Sequence, residues 1–101
     1  MVLTPGEAYV FNVGDSRVYT YGPEGMLQIS VDDSPPLPPG ATHTAIITQI
    51  LGGYGEPEPL DVHVSTHPIE DATHYLICTD GLSDVIDDAQ IAALLEVNRG
   101  V

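Results

Sequence analysis

At 101 residues the chain amounts to one domain with a modest core, and its 43% hydrophobic content sets it apart from disordered acidic tails. Fifteen acidic side chains against two basic ones give a formal charge of −13, which excludes the cationic surface that nucleic-acid and anionic-membrane binding require; cations, metals or basic peptides are the expected partners. The single cysteine, Cys78, cannot form an intrachain disulfide, no apolar run approaches the ~18 residues of a membrane span, and residues 1–6 show no basic targeting region, so a reducing cytoplasm is the expected compartment.

In chain order, Ala8 to Val13 is an apolar run closed by Gly14, and Arg17 to Tyr21 carries the strand formers Val18, Tyr19, Thr20 and Tyr21. A Gly14-Asp15-Ser16 turn is expected to join them. After a reverse turn at Tyr21-Gly22-Pro23-Glu24-Gly25, Met26 to Val31 alternates Leu27, Ile29 and Val31 with Gln28 and Ser30, which predicts a three-stranded antiparallel meander. Four of the nine prolines fall within Asp32 to Gly40, a loop. The β-branched run Ala45 to Leu51 ends at Gly52-Gly53 and reads as a strand, although Ile46, Ile47, Ile50 and Leu51 also fit a helical spacing. Tyr54 to Leu60 is a second loop, and Asp61 to Thr66 alternates Val62 and Val64 with His63 and Ser65 as a half-buried strand should. Following a turn over Pro68 to Thr73, Tyr75 to Cys78 reads as a buried strand broken by Asp80-Gly81. Asp87-Asp88-Ala89-Gln90 then resembles a capping box, with Ile91, Leu94 and Leu95 on one helical face. Six short strands followed by a helix predict an α+β architecture over residues 1–101: an antiparallel β-sandwich with a flanking helix.

Acid at the end of an apolar strand needs a partner, because an unpaired buried charge costs several kcal/mol. With only Arg17 and Arg99 available, the natural counter-ion for Asp80 and Asp84 is a hard divalent metal, Mg²⁺ or Mn²⁺. Asp15 sits in the same position after an earlier strand. Either acidic turn alone is a commonplace hairpin element. Together, in a chain short of bases, they predict a site where strand ends converge: Asp15, Asp80 and Asp84 at one edge of the sheet, mutually repelling unless a cation is present. His63 and His67 stand four apart but are read as solvent-facing rather than as a metal pair, Ser16 and Ser34 lack a neighbouring base, and Cys78 is read as core.

Three stretches carry a family resemblance: Asn12-Val13-Gly14-Asp15-Ser16-Arg17-Val18-Tyr19, Ile47-Thr48-Gln49-Ile50-Leu51-Gly52-Gly53, and Leu76-Ile77-Cys78-Thr79-Asp80-Gly81-Leu82-Ser83-Asp84. In this order they resemble successive motifs of the metal-dependent serine/threonine protein phosphatases of type 2C, in bacterial style. The resemblance implies a β-sandwich flanked by helices around Mg²⁺ or Mn²⁺, a metal-bound water that hydrolyses phosphoserine and phosphothreonine in protein substrates, and a cognate serine/threonine kinase. It maps a direct metal ligand onto Asp80 and a further metal position onto Asp15 and Asp84. The family's first acidic motif, its Asp-Gly metal motif and its late Asp-Asn motif have no counterpart in this sequence. Where the family has Asp-His-Ser and a helical flap, the chain has Asp32-Asp33-Ser34 and prolines. The expectation is therefore a truncated or fragmentary phosphatase domain, inactive alone. Its rivals are a non-catalytic regulatory module and an acidic cation-binding β-sandwich.

Overall fold

The computed structural model describes residues 1–41, 47–52, 55, 59–71 and 73–98. Within them lie strands β1 (Val2–Thr4), β2 (Glu7–Asn12), β3 (Arg17–Gly22), β4 (Gly25–Gln28), β5 (His63–Pro68) and β6 (His74–Cys78), and helices α1 (Asp80–Ser83) and α2 (Asp88–Val97) follow. The strands form two three-stranded sheets, ordered β1-β2-β5 and β4-β3-β6, with every pairing antiparallel. Mixed α+β is thus the observed class. No helix among the described residues is long and apolar enough to cross a membrane.

The expected meander forms only in its second half. Strands β3 and β4 make a hairpin, but β2 pairs with β1 and β5 and never with β3. The reason is that β4 and β6 already occupy both edges of β3, and residues 29–33, which follow β4, bridge the two sheets instead. Ile29 N–H donates to Val18 O at 2.9 Å and the buried Ser30 hydroxyl accepts from Val18 N–H at 2.9 Å, while Asn12 donates to Val31 O at 2.5 Å and accepts from Val31 N–H at 3.3 Å. These bonds pair the Val18 and Val31 main-chain groups where the β3–β4 ladder ends. Of the predicted strand Ala45 to Leu51, Ala45 and Ile46 lie outside the described residues, and Ile47 to Leu51 form no strand. There Thr48 N–H donates to Asp33 O at 2.8 Å and the Gln49 side chain clasps the Asp61 backbone, so this chain segment bonds to loops rather than to a sheet edge. Strand β1 went unread because three residues carry too little alternation to register.

Strand β3 has both faces covered, as period-2 geometry allows for a central strand. Val18 joins Val10 of β2 and Ile29 in a buried cluster, with Met1 and Tyr75 packed against it. On the opposite face Tyr19 is fully buried and Tyr21 nearly so, and their hydroxyls hydrogen-bond to Asp88 and Glu96 of α2. Burying each such side chain stabilises the fold by roughly 1.5–3 kcal/mol. Helix α2 starts where the capping box predicts: Gln90 N–H donates to Asp87 Oδ1 at 2.8 Å and Asp87 N–H to Gln90 Oε1 at 2.9 Å. Its apolar face is only partly used, since Ile91 is buried whereas Leu94 is 56% exposed. Replacing Asp87 by Ala is expected to destabilise the protein by about 1 kcal/mol, read as a lower urea midpoint at unchanged slope.

Candidate functional site

Strand β6 ends at Cys78, and Thr79 then caps α1 by accepting from Gly81 N–H at 3.3 Å. Asp80 opens that single turn and Asp84 closes it, with Asp84 N–H donating to Asp80 O at 2.9 Å, so the two residues lie one turn apart along the chain. Asp15 comes from the other sheet. Strand β2 runs into Gly14, which is buried and holds a φ of +99° that an L side chain rarely adopts, and the next residue is delivered to the same place. Asp15, Asp80 and Asp84 line one pocket with Arg17, Asp32, Ser34, Leu37 and Ser83, and its free space of about 20 Å³ suits one water or one ion. All three acids named from the sequence thus line one pocket.

The pocket is electrostatically strained in the expected sense. Burial pushes the Asp15 carboxyl above its usual range, the negative charge of Asp80 adds to the rise, a backbone hydrogen bond opposes it, and Asp32 and Asp84 push further upward. A hard divalent cation suits carboxylate donors and would relieve this repulsion. Among the described residues no group of three His, Cys, Asp or Glu side chains closes round a common point, so the fit is one of donor chemistry and charge around a pocket rim.

Several residues to which the sequence assigned no part in the pocket shape it. Arg17 is engaged by Asp32 in a fork, with Nε at 3.1 and 3.2 Å and Nη2 at 2.7 Å from the carboxylate, while Nη1 donates to Tyr19 Oη at 2.9 Å. Tyr19 in turn donates to Asp88 Oδ1 at 2.9 Å, tying the pocket wall to the start of α2. Gln28 adds a bond to Asp32 Oδ1 at 2.9 Å. The adjacent Asp33 is buried and accepts from Gly14 N–H at 2.8 Å, and His63 Nε2 lies 2.5 Å from its other oxygen.

Two expectations need correction. His63, read as solvent-facing, is half-buried against Asp33, and His67 is half-buried with its Nε2 at 2.9 Å from Ser65 Oγ. The alternation of Val62 and Val64 pointed the other way: both are exposed, whereas His63, Ser65 and His67, in register with Asn12, Val10 and Ala8, take the inner face. Cys78, read as core, is only half-buried, because β6 is an edge strand; burial still raises its thiol pKa, which keeps it unreactive.

No family model matches this chain, and no curated protein does.

Asp33 gives the pocket's surroundings a defined pH response. Burial alone would raise its pKa, but hydrogen bonds from Gly14, His63 and Gln49 outweigh that and hold it below the ordinary 3.8. A carboxylate with a depressed folded value contributes stability that is fully present above pH 3.8 and is lost as pH falls through the folded value. Asp33→Asn should therefore cost about 2 kcal/mol at pH 7, a difference that shrinks below pH 3.8 in denaturation curves recorded across pH.

Proposed function

We propose that this chain is part of a cytoplasmic metal-dependent protein serine/threonine phosphatase domain of type 2C, its two sheets being the layers of the family's sandwich. The observation that carries the reading is that Asp15, Asp80 and Asp84, drawn from two motifs far apart in sequence, line a single pocket. In this reading they hold part of the shell of an Mg²⁺ or Mn²⁺ centre, which supplies an activated water for attack on phosphoserine or phosphothreonine. The remaining ligands belong to motifs that the sequence does not contain, so the chain alone is a ligand-poor part of the machine.

A second reading, an acidic cation-binding or regulatory module without turnover, is favoured by one specific feature. Arg17, the basic residue at the pocket, spends its guanidinium on Asp32 and Tyr19 instead of presenting it to a phosphate.

The chain alone is expected to hydrolyse p-nitrophenyl phosphate negligibly in Mn²⁺. Fusing it to a segment that carries the missing acidic and Asp-Gly motifs should bring metal-dependent turnover that Asp80→Asn abolishes. Turnover by the chain alone at roughly 1 s⁻¹ or more overturns the claim of an incomplete site, and an inactive but metal-loaded fusion favours the second reading. Millimolar Mn²⁺ should stabilise the chain by only about 0.4 kcal/mol when its concentration equals the Kd. In thermal melts the double variant Asp15→Asn/Asp80→Asn should lose most of that shift; an equal shift would mean diffuse screening of the −13 charge.

A further inference from the structure

We infer that Asp33 and His63 are a buried positioning pair that fixes the Gly14 turn and so aims the Asp15 carboxylate into the acidic pocket. The inference rests on the reading of that pocket as a cation site, and it assigns part of the site's affinity to two residues that do not line it.

The connection from β2 to β3 joins strands in different sheets, so no ladder sets the geometry of residues 14–16. Something else has to, because Gly14 has the widest conformational freedom of any residue type at that place. Asp33 provides it from both sides of the residue. Its Oδ2 accepts from Gly14 N–H at 2.8 Å, and its own N–H donates to Gly14 O at 2.9 Å. With both main-chain polar groups held by one partner, Gly14 is fixed at a φ of +99° and the direction of the next residue, Asp15, is set.

Asp33 needs a rigid anchor of its own. Its side chain is only 7% exposed, where a carboxylate is costly unless fully partnered. His63 Nε2, 2.5 Å from Oδ1, supplies that partner from β5, in register with Asn12 at the end of β2. Thr48 N–H holds the Asp33 carbonyl at 2.8 Å, so loop 47–49 closes the remaining side. The chain of support thus runs from sheet β1-β2-β5 through His63 and Asp33 to Gly14, while Asp80 and Asp84 reach the pocket from sheet β4-β3-β6. A group hydrogen-bonded directly to a metal ligand typically changes metal affinity by about 10–100-fold when lost, and His63, which acts on Asp15 through Asp33 and Gly14, is expected at the low end of that range.

The test is Mn²⁺ titration of the 101-residue chain, with free Mn²⁺ read by electron paramagnetic resonance and folding checked by thermal melts. His63→Leu is expected to weaken the Asp15-dependent binding by about tenfold. His63→Gln, which keeps a side-chain donor, should recover most of the loss, and His67→Leu, on the same strand face but bonded to Ser65, should bind as the parent does. Should His63→Leu fail to fold, Asp33→Asn, which keeps the size and one acceptor, carries the same expectation of weakened binding. A folded His63→Leu or Asp33→Asn protein with parental Mn²⁺ affinity, even with a lowered melting temperature, overturns the proposal. So does loss that His63→Gln fails to recover. If the parent itself shows no binding that Asp15→Asn removes, the cation-site reading falls first and this inference falls with it.

Discussion

Shortage of cations is the constraint from which the rest of this structure follows. Fifteen acids share two arginines, so the fold must dispose of its inward-facing carboxylates by other means. Asp32 takes Arg17 in a forked, partly buried pair, the geometry in which an ion pair is strongest. Asp33 is satisfied by a backbone N–H and a histidine, and its carboxyl is held below the usual range as a result. Among the described residues Asp15 has no such cationic partner, and its carboxyl is pushed up by burial and by Asp80. Three neighbouring acids thus receive three different treatments, and Asp15, the one left under strain, shares its pocket with the paired Asp32.

The same arrangement explains why the two sheets stay together with so small a core. Val10, Val18 and Ile29 form the apolar contact, and segment 29–33 adds bonds from Ser30, Asn12 and Asp33 across the gap. On the far side of β3, buried tyrosines reach α2 through their hydroxyls, which lets an aromatic ring fill space while its polar end is satisfied at a helix carboxylate. Packing and polar connection are therefore carried by the same strand. Its first residue, Arg17, is at once part of a pocket wall and the link from Asp32 to Tyr19.

For function, the contrast between Asp15 and Asp33 matters most. Both are aspartates in or near tight turns, separated by the width of one glycine, yet one is fully bonded and the other faces charge of its own sign. Charge strain is costly to a fold unless a ligand relieves it, which is why such spots are candidates for function with a physical rationale. The type 2C reading gives that strain a purpose, and the engaged Arg17 marks where the same pocket departs from a phosphate-binding surface.

By itself the sequence determined the local elements. Apolar and strand-forming runs placed β2, β3 and β6, alternation placed β4 and β5, the Asp87 and Gln90 pair placed the start of α2, and acids just past apolar runs marked Asp15, Asp80 and Asp84, because each of these signals is written within a few neighbouring residues. Tertiary structure decided what pairs with what. That β2 leaves β3 for another sheet, that Ile47 to Leu51 serve loops instead of a ladder, and that His63 turns inward to Asp33 all depend on partners 12 to 36 residues away, such as Gln49 with Asp61 and Ser65 with Ile29. A side chain's choice between solvent and a distant acid is settled by burial and by competition for hydrogen bonds, and neither exists until the sheets have met.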